Sequence, residues 1–78
     1  SYSEIGFSCF SLGRYSEAVE QLSRADQLNP KFETTIYYLG LCYVKQSRKP
    51  DAVKKYNELV LLGSEYAISL LIEIKNMK

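Results

Sequence analysis

The chain has 78 residues, the scale of one small domain with a modest core. Ten basic and 9 acidic side chains leave a net charge of +1, so no global field draws nucleic acid or anionic lipid to it. An apolar fraction of 46% excludes a disordered chain, and no apolar run approaches the roughly 18–20 residues a membrane helix needs.

In chain order the apolar spacing predicts five helices and no strands. The first covers residues 2–12, with Ile5, Cys9 and Leu12 on one stripe and Phe7 and Phe10 beside it. Gly13-Arg14 breaks it. The second, 15–28, carries Ala18, Leu22 and Ala25 at i, i+4, i+7. It ends at Asn29-Pro30, because the residue before proline is pushed out of the helical region. The third, 33–46, has two apolar faces built from Ile36, Leu39, Leu41, Tyr43 and Val44. Pro50 opens the fourth, where a first-turn N–H has no partner in any case, and Gly63 suits its C-cap. Ser64 is a good N-cap for a fifth helix through 76. Short connections make consecutive helices antiparallel neighbours.

Two stretches repeat each other 34 residues apart. Gly6 recurs as Gly40, Ile5 as Leu39, Ala18 as Ala52, Val19 as Val53, Leu28 as Leu62, and Glu17 as Asp51. A fixed period of this size marks an architecture in which each unit buries its apolar face against a neighbour. Gly6 and Gly40 fall inside helices, where glycine costs about 1 kcal/mol relative to alanine. They fit a partner helix that crosses too close for a Cβ, with Ala18 and Ala52 as the small residues opposite.

On these residues the chain resembles the tetratricopeptide repeat (TPR), a 34-residue helix-turn-helix unit with the pattern W-x2-L-G-x2-Y, A-x3-F, P. Tyr2, Ile5, Gly6 and Cys9, then Ala18-x3-Leu22 and Pro30, fill the first copy. Ile36, Leu39, Gly40 and Tyr43, then Ala52-x3-Tyr56, fill the second, with Ser64 in place of proline. Other departures are Cys9 for the aromatic residue and Lys49 where the first copy has Tyr15. The resemblance implies an all-α fold, a right-handed α-α superhelix (solenoid) of antiparallel helix pairs. It also implies one domain over 1–78: repeat 1 at 1–32, repeat 2 at 33–64 and a capping helix at 65–78. A third copy would need glycine at position 74, where the chain has isoleucine. The fifth helix is apolar around more than one stripe, and Ile68 and Ile72 lie on a flank away from the rest. Because the sequence begins almost directly inside a repeat, we expect a fragment of a longer chain.

The resemblance further implies a non-catalytic scaffold or adaptor whose first helices line a concave groove for a protein or peptide. The groove positions map to Ser3, Glu4, Phe7, Phe10 and Ser11 in the first unit. In the second they map to Thr34, Tyr37, Tyr38, Leu41, Val44 and Lys45, with Phe10 and Tyr37 also expected to touch the neighbouring first helix. One subclass of the family clamps a peptide C-terminal carboxylate with Lys, Arg and Asn. Ser3, Phe7 and Tyr38 stand at those positions and supply no such charge, so an apolar or amphipathic segment is expected instead. Self-association through the groove or the fifth helix is the alternative, since two repeats fall short of the three or so that stand alone. Nucleic-acid binding through Lys45, Arg48, Lys49, Lys54 and Lys55 at the second turn is a weaker one.

No enzyme is expected. The chain has no histidine, no phosphate-binding glycine loop and no cluster with metal-ligand spacing, so neither cofactor, metal nor small-molecule substrate is assigned. Cys9 and Cys42, each inside an apolar helical pattern, read as buried free thiols. That suggests a reducing, cytoplasmic setting.

Overall fold

A computed structural model describes residues 2–77; Ser1 and Lys78, the ends of the expected domain, lie outside the described residues. Five helices follow one another: α1 Tyr2–Ser11, α2 Tyr15–Leu28, α3 Glu33–Lys45, α4 Lys49–Leu61 and α5 Tyr66–Lys75. No strand occurs among the described residues. The first helix of each pair packs on the second, α1 on α2 and α3 on α4. α3 also packs on α2, and α5 on both α3 and α4. Thus α1, α3 and α5 touch in succession, whereas α2 and α4 share no close backbone approach among the described residues. α1, α3 and α5 therefore form one continuous row along the stack, which α2 and α4 do not.

The hairpin turns share one hydrogen-bond pattern. Gly13 N–H donates to the Phe10 carbonyl at 3.0 Å and Arg14 N–H to the Cys9 carbonyl at 2.9 Å. The pair satisfies carbonyls that a helix end otherwise leaves open. It needs a left-handed residue after the last turn, and Gly13 supplies it with φ +80°. Thirty-four residues on, the same two bonds run from Ser47 and Arg48 to the carbonyls of Val44 and Tyr43. There a serine holds φ +60°. Gly63 repeats the geometry after α4. Glu65, not the expected Ser64, holds the N-cap position of α5; Ser64 stands one residue earlier, and its Oγ accepts the Tyr66 N–H at 3.2 Å.

Two cores fill the stack. The first joins Ala18 and Leu22 of α2 to Leu39 and Cys42 of α3, with Phe7, Cys9, Phe10 and Tyr38 packed around them. The second gathers Ile36, Ala52 and Leu59 with Ala67, Leu70 and Ile74 of α5. Each fully buried leucine contributes about 1.5–3 kcal/mol of transfer free energy. α5 thus supplies a large part of the second core while leaving Ile68 and Ile72 exposed on its flank.

Both helical glycines sit at close crossings, but not against the alanines. A Cβ on Gly6 would lie 2.5 Å from Leu22 Cγ of its own hairpin partner, α2. A Cβ on Gly40 would lie 2.5 Å from Leu70 Cδ2, on α5 rather than on α4. The second glycine therefore records the approach of the following helix, because α5 presses its leucine into the gap.

Candidate functional site

A run of rings crosses helix boundaries along α1, α3 and α5. Phe7 of α1 meets Tyr38 of α3 with ring centroids 4.5 Å apart. Phe10 lies edge-on to Tyr38 at 5.5 Å and also edge-on to Tyr15, at the start of α2, at 5.5 Å. Tyr38 meets Tyr37 at 5.7 Å, and Tyr37 stacks on Tyr66 of α5 at 4.9 Å and 27°. Such offset and edge-on pairs add about 0.5–1.5 kcal/mol each beyond their burial. They also hold each ring in one orientation, which lowers the entropy lost when a partner settles on them.

Of the expected groove positions, Phe7, Phe10, Tyr37 and Tyr38 are brought together in this run. Phe10 meets the neighbouring first helix through Tyr38 of α3, whereas Tyr37 meets Tyr66 of α5, the expected capping helix. All four are half-buried. Leu41 and Val44 are half-buried against the second core. Thr34 is half-buried, and Glu4, Ser11 and Lys45 are exposed. Ser3 stands apart from the rings, in the wall of a cavity between α1, α2 and α3. Two members of the run, Tyr15 and Tyr66, were not among the expected groove positions. Both follow a turn at the start of a helix, and proximity across a turn leaves no periodic trace.

The face is nearly neutral. Burial, followed by the negative charge of Glu73, pushes the Tyr37 hydroxyl above its ordinary value. The phenol therefore stays protonated and able to donate a hydrogen bond. The basic residues of the second turn are partly engaged elsewhere. Arg48 pairs with Asp51 at 3.0 Å, and its guanidinium lies 5.5 Å from the Tyr43 ring centroid. Lys55 pairs with Glu58 at 3.0 Å. Across from them Asp26 has its carboxyl raised by burial, against the lowering influence of Lys55.

No group of His, Cys, Asp and Glu suited to a metal ion exists among the described residues. Cys9 and Cys42 are free thiols, the first half-buried and the second buried. Burial and then the neighbouring Cys9 push the Cys42 thiol up to about 11, which makes it inert near neutrality. No helix among the described residues is long and apolar enough to cross a membrane.

Neither the curated proteins nor the solved structures match this chain. A family model of the TPR repeat does, over residues 6–47. That span runs from Gly6, at the first close crossing, to Ser47, at the second left-handed turn. Repeats of this kind generally mediate contacts between proteins and are not catalytic. With more than half of its length matched and its helices paired and stacked in one 34-residue register, the chain belongs to the TPR repeat family.

Proposed function

We propose that the chain is a protein–protein interaction module, a scaffold or adaptor, that takes an apolar or amphipathic segment of another protein along the face of α1, α3 and α5. The observation that carries this reading is the ring run from Phe10 and Phe7 through Tyr38 and Tyr37 to Tyr66. Rigid aromatic side chains are the usual anchors of protein interfaces. Leu41 and Val44 extend the apolar strip, and Thr34 and Lys45 form its margin, whereas Ser3 lies apart from it. No cation stands where a carboxylate clamp would need one, since those positions are Ser3, Phe7 and Tyr38. The units divide as 1–32, 33–64 and a capping segment 65–78. The two free thiols favour a reducing cytoplasm.

Affinity capture from a lysate, with the wild-type domain and with Phe7→Ala/Leu41→Ala as bait, tests the reading. The double variant is expected to lose the captured proteins while keeping its helical circular dichroism. Full retention of the same partners contradicts it. Self-association is the second reading, favoured by exposed Ile68 and Ile72 on α5; a mass that rises with concentration and falls back in Ile68→Glu supports it.

A further inference from the structure

α5 packs on α3 and α4 as α3 packs on α1 and α2, but it docks one residue out of the 34-residue step. The buried residues give the register. On α3 they include Thr35, Leu39 and Cys42. Thirty-five residues later, Leu70 and Ile74 are buried and Met77 packs on the second core. By the same register, Glu73 of α5 takes the place that Tyr38 holds on α3. The ring face, nearly neutral as a whole, therefore exchanges an aromatic side chain for a carboxylate at its α5 end. Glu73 is half-buried and lines a hollow of about 420 Å³ with Val44 and Met77. Lys45 lines the same hollow, yet no ion pair joins Glu73 to it or to any other cation among the described residues. The charge of Glu73 is felt instead at Tyr37, which stacks on Tyr66 at 4.9 Å.

Elsewhere the chain shows what a ring beside a carboxylate holds. The Arg24 guanidinium lies 5.8 Å from the centroid of the Tyr2 ring and pairs with Glu20 at 3.2 Å. Arg48 lies 5.5 Å from the centroid of Tyr43 and pairs with Asp51 at 3.0 Å. In both places an arginine serves a tyrosine face and a carboxylate together. The ring quadrupole attracts the cation, and the carboxylate accepts its N–H groups. The Tyr37–Tyr66 stack and Glu73 repeat the ring and the carboxylate, but among the described residues no arginine of the chain lies over them. Tyr66 is 38% exposed, so the stack is open to solvent. Beside it Glu33 and Glu65 edge a depression, and neither is in an ion pair among the described residues.

We infer that the segment this face takes is basic, and that one of its arginines lies on the Tyr37–Tyr66 stack with its guanidinium turned to Glu73. The inference rests on the ring face as a docking surface and adds the charge of the partner. Complementary charge selects such partners. Glu33, Glu65 and Glu73 repel an acidic segment and the phosphates of a nucleic acid. A second copy of this chain fits poorly, because Arg24 and Arg48 already hold a ring and a carboxylate of their own, and Arg14 stands in the first turn rather than on an amphipathic segment.

Peptides selected on the wild-type chain from a displayed random library supply the probe. The strongest binder is synthesised with capped ends and a fluorescent label, and its binding to the whole chain is followed by anisotropy. It is expected to carry arginine among apolar residues. Replacing its arginines one at a time by citrulline, which keeps the shape and removes the charge, should weaken binding about tenfold at one position. Against Glu73→Gln the arginine and citrulline forms should bind alike. Glu73 is in no ion pair among the described residues, so Glu73→Gln is expected to keep the wild-type helical signal and melting midpoint. Binders that lack arginine but are lost in Phe7→Ala/Leu41→Ala overturn the inference and leave the docking face in place. A citrulline effect undiminished in Glu73→Gln does the same. Absence of any binder removes both readings. A wild-type dimer that Glu73→Gln dissociates also overturns the inference, because it assigns the carboxylate to a second copy.

Discussion

Adding a single carbon at Gly40 should destabilise this domain, against the intrinsic preference of a helix. Alanine in a helix interior is favoured over glycine by about 1 kcal/mol. At Gly40 the new Cβ would sit 2.5 Å from Leu70 Cδ2 and 2.9 Å from Cδ1. Ordinary carbon contacts lie at roughly 3.5–4.0 Å. Leu70 is fully buried, so its δ carbons retreat only by displacing the second core. Overpacking of this kind costs about 1–3 kcal/mol, and a clash this deep belongs in the upper part of that range. The expected net loss for Gly40→Ala is about 1–2 kcal/mol after the propensity gain. Leu70→Val removes both δ carbons. In that background Gly40→Ala should become neutral or stabilising, a coupling of about 1–2 kcal/mol between two residues 30 apart in sequence. Urea titrations followed by far-UV circular dichroism on the four proteins of the cycle give the numbers. Stabilisation of the wild type by Gly40→Ala, with no coupling to Leu70, would refute the crossing of α3 and α5.

Three further outcomes follow from the same geometry. Ser47→Gly should raise stability by about 0.5–1 kcal/mol, seen as a higher thermal midpoint, because a serine now holds the left-handed turn that Gly13 holds in the first unit. Ala25→Leu, which puts here the leucine that the second unit has as Leu59, should raise the urea midpoint by filling part of the cavity that Ala25 lines, about 0.5–2 kcal/mol. Alkylation at mild alkaline pH should modify half-buried Cys9 and reach Cys42 only on unfolding. The folded chain holds the Cys42 proton more tightly than the unfolded chain. The corresponding stability is therefore intact below the ordinary thiol value of 9.0 and is lost as pH rises from there to about 11. A urea midpoint that stays flat across that window would contradict the buried thiol.

The residues that punctuate the chain were the most legible. Gly13, Asn29-Pro30 and Gly63 place three helix ends within a residue or so, because each acts through its own backbone. The stacking register was legible from the 34-residue step, which needs only the spacing of Gly6 and Gly40. Ser47 was harder: serine carries no mark of a left-handed turn, and only its alignment with Gly13 gives the turn away. Gly40 read as a contact within its own hairpin, as Gly6 is. Its true neighbour, Leu70, depends on how α5 docks, which no local pattern encodes. At the ring face, the positions that the family resemblance implies included Phe7, Phe10, Tyr37 and Tyr38 but not Tyr15 and Tyr66, which reach the run across turns.

The most direct test of the central claim is to select peptides on the wild-type chain from a displayed random library and map the strongest binder by chemical-shift perturbation. The account predicts apolar or amphipathic sequences that bind without a free C-terminal carboxylate. The largest shifts should fall on Phe7, Tyr38, Leu41 and Tyr37. Binders that require a terminal carboxylate, or shifts centred on Lys49 and Lys54 at the second turn, would contradict it.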